Sequence, residues 1–227
     1  MRLTKKKFES LLKENKLVLS LIGMSNIGKT YWSKQLNHIG FKHFNCDSLI
    51  EEKLSKELKN LGYKGIADVS KWMGQPYNKR YAKNQDKYLN IEKRILQDIL
   101  NKIQKQKNKI RSKNIVIDTT GSFAHCGDEL CRKIKKDSLI VYLEATDKMR
   151  EEMFQRYIKD PKPVVFGDIF SQKKSENDLD ALKRSYRILL NNRAILYAKY
   201  ADIVIPFKKN KFLLNVDDFI NSVKDYL

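Results

Sequence analysis

The sequence predicts an α/β protein in which a parallel sheet lies between two layers of helices. Three observations predict it. Short apolar runs alternate with longer segments of helical periodicity along the chain, the order that a parallel sheet with crossover helices requires. The first apolar run, residues 17–22, leads straight into a glycine-bounded turn and then a helix. The 227 residues, 41% hydrophobic and 10% aromatic, suffice for one core with added terminal pieces.

The elements follow in order. Residues 5–14 read as a short basic amphipathic helix, and 17–22 as a buried strand. A helix runs from Thr30 to about His38, where Gly40 stops it. Phe41-Lys42-His43-Phe44-Asn45 alternates apolar and polar, as a strand does. Asp47 or Ser48 is then placed to cap a helix carrying Leu49, Ile50, Leu54 and Leu58. Residues 61–80, with Gly62, Gly65, Gly74 and Pro76, predict a broken region holding a short helix near 66–72. Tyr88, Ile91, Ile95, Ile99 and Ile103 predict one long helix over 81–107. Strands follow at 114–118 and 138–143, and a helix at 147–157. Residues 158–176, with Pro161, Pro163 and Gly167, read as a mobile loop. A helix over 179–200, a strand over 201–205 stopped by Pro206, and an amphipathic helix over 213–226 complete the chain.

The turn after the first strand is Gly23-Met24-Ser25-Asn26-Ile27-Gly28-Lys29-Thr30, a G-x-x-x-x-G-K-T pattern. Strand, loop and helix in that order form the context of a phosphate-cradling P-loop. Its glycines let backbone N–H groups turn inward around a polyphosphate, and the helix N-terminus adds a favourable field. Lys29 would reach the β and γ phosphates, and Thr30 would offer its hydroxyl to Mg²⁺. The expected nucleotide site therefore comprises Gly23, Ser25, Asn26, Ile27, Gly28, Lys29, Thr30 and Tyr31.

Bulk properties narrow the classes. No apolar run reaches the ~20 residues of a membrane span, and the charged N-terminus lacks a signal-peptide core, so a cytoplasmic protein is expected. The formal charge of +19 invites a nucleic-acid partner. The lysines are nevertheless scattered among acids and asparagines, which fits a solvated surface as well, and the densest basic run, 101–113, reads as a helix end and loop. Cys46, Cys126 and Cys131 make no C-x-x-C and no disulfide framework.

Ligands on parallel sheets bind at the carboxyl ends of the strands. Gly23, Asn45, Asp118 and Glu144 all stand at such ends and should share one rim. Asp118 is the candidate acid for Mg²⁺, with a turn-former as the alternative. Thr119, Thr120 and Gly121 would bring hydroxyls and close backbone beside the γ-phosphate. Asp47 is either a helix cap or the group that takes a proton from, or orients, an acceptor hydroxyl. Arg156, Lys159 and Lys162 bracket the loop at 158–176, either as solvated charges or as cations that close over a transferring phosphoryl group. Arg193, inside an apolar helical stretch, needs a carboxylate or phosphate partner.

With these pieces in order, the chain resembles the shikimate kinase family over roughly residues 17–205. The P-loop is followed by Asn45-Cys46-Asp47-Ser48-Leu49-Ile50-Glu51, similar to the family's D-x-D-x-x-I-E. Gly65-Ile66-Ala67-Asp68-Val69, Val141-Tyr142-Leu143-Glu144, Lys162-Pro163-Val164-Val165 and Tyr186 with Arg193 to Tyr197 resemble its later motifs. The resemblance implies a three-layer P-loop kinase fold with a five-stranded parallel sheet in order 2-3-1-4-5. It divides the chain into an N-terminal helical extension (1–16), a kinase domain (17–206) with a lid near 158–176, and a C-terminal helical extension (207–227). It places Asp47 at the substrate hydroxyl with Asn45 beside it, Arg193 at a substrate carboxylate, Arg156 on adenine and Lys162 in the lid. Asn45 replaces the family's first aspartate, Tyr88-Leu89 stand where a second arginine falls, and Asp118-Thr119-Thr120-Gly121 replace a glycine triplet. Lys79, Arg80 and Lys83 are candidates for the missing cation.

The expectation is an ATP- and Mg²⁺-dependent phosphotransferase acting on a hydroxyl of a small anionic metabolite, as a monomer or homodimer. Lys29 and Asp47 are its catalytic residues, and Asn45, Asp47, Thr120, Gly121 and Arg193 form the acceptor side. The alternatives are a kinase of nucleic-acid ends and a nucleotide-binding module without turnover.

Overall fold

The computed structural model describes residues 3–63, 66–107 and 113–227. Gly65 and residues 108–112 of the basic run lie outside them. Five parallel strands form one sheet in the order β2-β3-β1-β4-β5. They are β1 (Val18–Ile22), β2 (Lys42–Asn45), β3 (Ile115–Asp118), β4 (Leu139–Glu144) and β5 (Ile203–Pro206). Every residue of β1 and β3 is buried, as expected of central strands covered on both faces by helices.

The register levels the strand ends. Asp118 pairs with Leu21 on one side and Asn45 on the other, and Tyr142 pairs with Ile22. The turn at Gly23 therefore leaves the sheet between β3 and β4, where successive connections depart in opposite directions, and a crevice opens there.

The helices are α1 (Lys5–Lys13), α2 (Lys29–His38), α3 (Cys46–Asn60), α4 (Ile66–Met73), α5 (Tyr81–Lys107), α6 (Asp128–Asp137), α7 (Asp147–Lys159), α8 (Asp178–Tyr200), α9 (Phe207–Asn210) and α10 (Val216–Asp225). In α5 the residues Ile95, Leu96, Ile99, Leu100 and Ile103 are buried along one face, and their spacing is what the sequence shows as helical.

Three expectations need correction. The cap of α3 is Asn45, whose side chain accepts from Ser48 N–H at 2.8 Å, so Asp47 lies inside the first turn. The ladder of β2 carries through Asn45, and this puts the helix start one residue past the strand. The 3₁₀ turn Phe123–His125 and the helices α6 and α9 were not anticipated. Only Cys131 and Ile134 of α6 are buried, too few apolar positions to announce a period. The segment between α7 and α8 is not loose throughout, because Val165 and Phe166 are core residues.

The C-terminal elements support the P-loop from behind. Trp32 of α2 stacks on Phe219 of α10 with ring centroids 4.8 Å apart. Its indole N–H donates to Asn210 Oδ1 at 2.7 Å, while Asn210 Nδ2 donates to the Ile27 carbonyl at 3.3 Å. At the other terminus Phe8 of α1 is fully buried, and Glu9 pairs with Lys224 of α10 at 3.0 Å.

Candidate active site

The glycine turn is held open by backbone conformation. Gly23 has φ +144°, and a Cβ there would lie 2.7 Å from the Leu143 carbonyl oxygen, so the turn can approach β4 only without a side chain. Gly28 is left-handed and gives α2 no side-chain cap. The first amides of α2 thus lack a side-chain acceptor, which is the anion-binding arrangement of a helix N-terminus.

Lys29 opens α2 and is buried. Its ammonium donates to the carbonyl oxygens of Gly23 at 3.0 Å and Met24 at 2.8 Å. Burial pushes its pKa down, and the nearby carboxylates of Asp118 and Asp47 oppose that shift. Thr30 is exposed beside it.

Asp118 ends β3 at only 3% exposure. Its Oδ2 accepts from Asn45 Nδ2 at 3.3 Å and faces His43 Nε2 at 3.6 Å, whereas its Oδ1 is buried with no partner. Asp47 is half-buried. Burial raises its pKa, Lys29 opposes, and Asp118 adds to the rise.

The loop after β3 is tightly specified. Thr119 donates its hydroxyl to the Leu21 carbonyl at 2.8 Å. Thr120 and Ser122 direct their hydroxyls to Glu92 of α5, at 2.5 and 2.7 Å, and lie 2.7 Å from each other. The Thr120 hydroxyl therefore points into the interior. Burial holds the Glu92 pKa up, against those two hydrogen bonds. Tyr197 donates to the Gly121 carbonyl at 2.5 Å, and a Cβ on Gly121 would come within 3.0 Å of Ser25 Oγ.

Arg193 is 6% exposed. Its Nε donates to His125 Nε2 at 3.3 Å and its Nη2 to the Val165 carbonyl at 2.7 Å. Burial first, and the guanidinium second, press the His125 pKa down to about 3, so the imidazole is a neutral acceptor. Of the carboxylate or phosphate partner expected for Arg193, no carboxylate pairs with it among the described residues.

Two cavities meet over the P-loop. One, of about 520 Å³, runs between Arg156, Tyr157 and Tyr186, whose two tyrosine rings stack 3.6 Å apart. The other, of about 470 Å³, contains Lys29, Thr30, Asp47, Gly121 and Tyr88. Ser25, Asn26, Lys162, Val164 and Arg193 line both. Asn45, Asp118 and Thr120 line neither cavity. Ile27 is buried, and Tyr31, 52% exposed, packs edge-on against Trp32 and lines neither cavity. Arg156 and Lys162 are largely exposed and loosely paired with Glu152 and Asp160.

Lys79, Arg80 and Lys83 do not line the cleft. Lys79 and Arg80 lie in the turn before α5 and line a separate cavity, and the inward positions of α5, Tyr81, Gln85 and Tyr88, leave Lys83 on the solvent side. Sequence reasoning missed Tyr81, Gln85, Glu92, His125 and Asn210. A polar residue on an apolar helical face was the signal for Gln85 and Glu92; His125 stood out only for a weak metal-like spacing with Cys126 and Cys131, and nothing marked Tyr81 or Asn210.

No protein-family model matches the chain, and no curated protein matches its sequence. Solved structures do match. A shikimate kinase from Bacteroides thetaiotaomicron superposes with a TM-score of 0.53 at 15% identity, over 92% of this chain and 97% of that one. The Acinetobacter baumannii shikimate kinase in complex with shikimate gives 0.51 at 16% identity, over 87% and 86%. With the parallel 2-3-1-4-5 sheet and the glycine turn at its switch point, the chain has the P-loop fold of the shikimate kinases.

Proposed function

We propose that the protein is an ATP- and Mg²⁺-dependent phosphotransferase that moves the γ-phosphoryl group of ATP to a hydroxyl of a small anionic metabolite. The observation that carries this reading is the meeting of two cavities at one wall that contains Arg193 and Lys162, with Lys29 beside it. Phosphoryl transfer needs donor and acceptor sites that share a point where charge is neutralised.

The residues fit a divalent cation. The orphaned Asp118 Oδ1 is costly to bury without a partner, and the Thr30 hydroxyl is exposed at the start of α2. Mg²⁺ takes few protein oxygens and completes its shell with water and phosphate. Asp118 and Thr30 would hold the ion, which when bound offsets charge on the β and γ phosphates.

The chain's own groups supply the rest. The amides from Gly23 to Thr30 cradle the polyphosphate, and Lys29 exchanges its two carbonyl partners for phosphate oxygens. Arg156 and the Tyr157–Tyr186 pair flank the base. Asp47, with its pKa raised, orients the acceptor hydroxyl and takes up its proton as the new O–P bond forms. Lys162 draws charge from the transferring group, and Arg193, on the wall common to both cavities, serves that group as well as the acceptor's anion. Gly121 borders the acceptor, while Thr120 shapes that loop from below.

A screen of ADP release over hydroxylated acids, sugars and nucleosides, shikimate included, tests the reading. An acceptor that stimulates release in the native protein and not in Lys29→Ala supports it. Equal release in that variant, or none across the panel, contradicts it.

A second reading has one observation in its favour. A third cavity, of about 580 Å³, places Lys79 and Arg80 beside Tyr63 and shares Met73 with the acceptor side. With the +19 charge, this suits a nucleic-acid end as acceptor, and oligonucleotide binding should then weaken steeply with salt. Absence of binding at low salt removes it.

A further inference from the structure

Val164 lines both cavities and Val165 lines the acceptor side, yet the stretch from Val164 to Gly167 belongs to no helix or strand. Amides buried in such a segment must find other acceptors. One turn of α5 supplies them. Gln85 Oε1 accepts the N–H groups of Phe166 and Gly167, both at 2.9 Å. Tyr81 Oη accepts from the same Phe166 N–H at 2.8 Å. It also lies 2.5 Å from Gln85 Oε1 and 2.7 Å from the Val164 carbonyl, so its single proton serves one of them at a time.

Asn84, on the same turn, donates to the Trp72 carbonyl near the end of α4 at 2.7 Å. Residues three and four apart share a helix face, so Tyr81, Asn84 and Gln85 together tie two walls of the acceptor cavity to α5.

The tied segment in turn holds Arg193. The Val165 carbonyl accepts from Nη2, the neutral His125 accepts from Nε, and Nη1 remains beside Gly121 and the P-loop. The guanidinium is fixed by uncharged acceptors, and its charge stays available to an anion in the cleft.

We propose that Tyr81 and Gln85 are positioning residues that aim Arg193 at the γ-phosphate, acting through the backbone of Val164–Gly167. This rests on the nucleotide-site reading of the cleft. Removing the Gln85 acceptor strands the part-buried Gly167 N–H and leaves the Phe166 N–H only Tyr81 Oη, the segment shifts, and the Val165 carbonyl no longer steers the guanidinium. The γ-phosphate is the group that ATP has and ADP lacks, so the ratio of their affinities reads the effect without any turnover.

The test measures Mg·ATP and Mg·ADP dissociation constants for the full chain and for Gln85→Leu, Gln85→Glu and Tyr81→Phe, with amide exchange at Phe166 and Gly167. Gln85→Leu should lower the preference for ATP about tenfold and speed exchange, most at Gly167. Gln85→Glu, whose carboxyl oxygen accepts the same two amides, should restore the preference. An unchanged ratio in Gln85→Leu despite faster exchange overturns the proposal, as does a Gln85→Glu protein no better than Gln85→Leu. Should Gln85→Leu fail to fold, Tyr81→Phe decides, with a reduced ratio in favour and an unchanged one against. A native chain that binds neither nucleotide refutes the site reading and this proposal with it, whereas failure of the latch alone leaves the native preference for ATP intact.

Discussion

Asn45 donates its side-chain amide to Oδ2 of Asp118 at 3.3 Å, and Oδ1 of the same carboxylate is left buried without a partner. The two residues end neighbouring strands in register. The asparagine fixes the direction of the carboxylate and caps α3 with its other side-chain atom. An unmet oxygen so oriented, near enough to Lys29 to act on its charge, suits a cation. Asp118→Ala should raise the Mg²⁺ concentration needed for half-maximal activity about tenfold. Asn45→Ala should cost about 1 kcal/mol of stability through the lost cap. Titration with Mg²⁺ and denaturant melts check both, and an unaltered Mg²⁺ requirement in Asp118→Ala argues against the assignment.

Asp47 gives a pH signature. Burial raises its pKa, and the proton acceptor is the ionised form. Activity should fall as pH drops through the raised pKa, so the acid limb of kcat/KM lies above the ~3.9 of an ordinary aspartate. Asp47→Asn should abolish transfer and leave ATP affinity intact. Loss of both together speaks against a role at the acceptor.

Glu92 makes a prediction about stability. Its folded-state pKa is raised by burial, so between the unfolded and folded values the native protein binds more protons than the unfolded chain. The contribution is therefore full below the unfolded pKa of ~4.3 and lost as pH rises through the folded value. Urea midpoints of the native chain should decline with pH over that window, and those of Glu92→Gln should decline less. Parallel curves would show that the carboxyl does not titrate there.

Asn210 links the C-terminal segment to the P-loop. Asn210→Ala leaves the Trp32 N–H and the Ile27 carbonyl without their partner, at a cost of about 1–3 kcal/mol. Urea unfolding measures it, and unchanged stability would mean that water replaces the amide.

Legibility in the sequence follows the range of the interaction. The helix α5, Tyr81 to Lys107, is readable because Tyr88 and the isoleucines 91, 95, 99 and 103 follow at steps of three and four. The P-loop is readable because its glycines meet local backbone demands and Lys29 bonds to carbonyls of the same turn. The end of β3 at Asp118 is readable for a similar reason, since an acid closes an apolar run. The partners of polar side chains are different. Gln85 shows in the sequence only as a polar residue on the apolar face of α5, and nothing local names its partner at Phe166, whereas Gln97 on the same helix is exposed and meets Asn101. Arg193 drew attention because a guanidinium in an apolar stretch needs company, but its company, His125 and the Val165 carbonyl, depends on how distant segments close. The register of α5 turns Lys83 away from the cleft, and Lys79 and Arg80, in the turn before that helix, line another cavity.

The most direct test of the account is equilibrium binding of ATP, with Mg²⁺ present, to the native chain and to Lys29→Ala. If main-chain amides and this ammonium enclose a triphosphate, the native protein binds ATP and the variant binds it at least about tenfold more weakly. Equal affinity in the two proteins, or no binding by the native one, would contradict it.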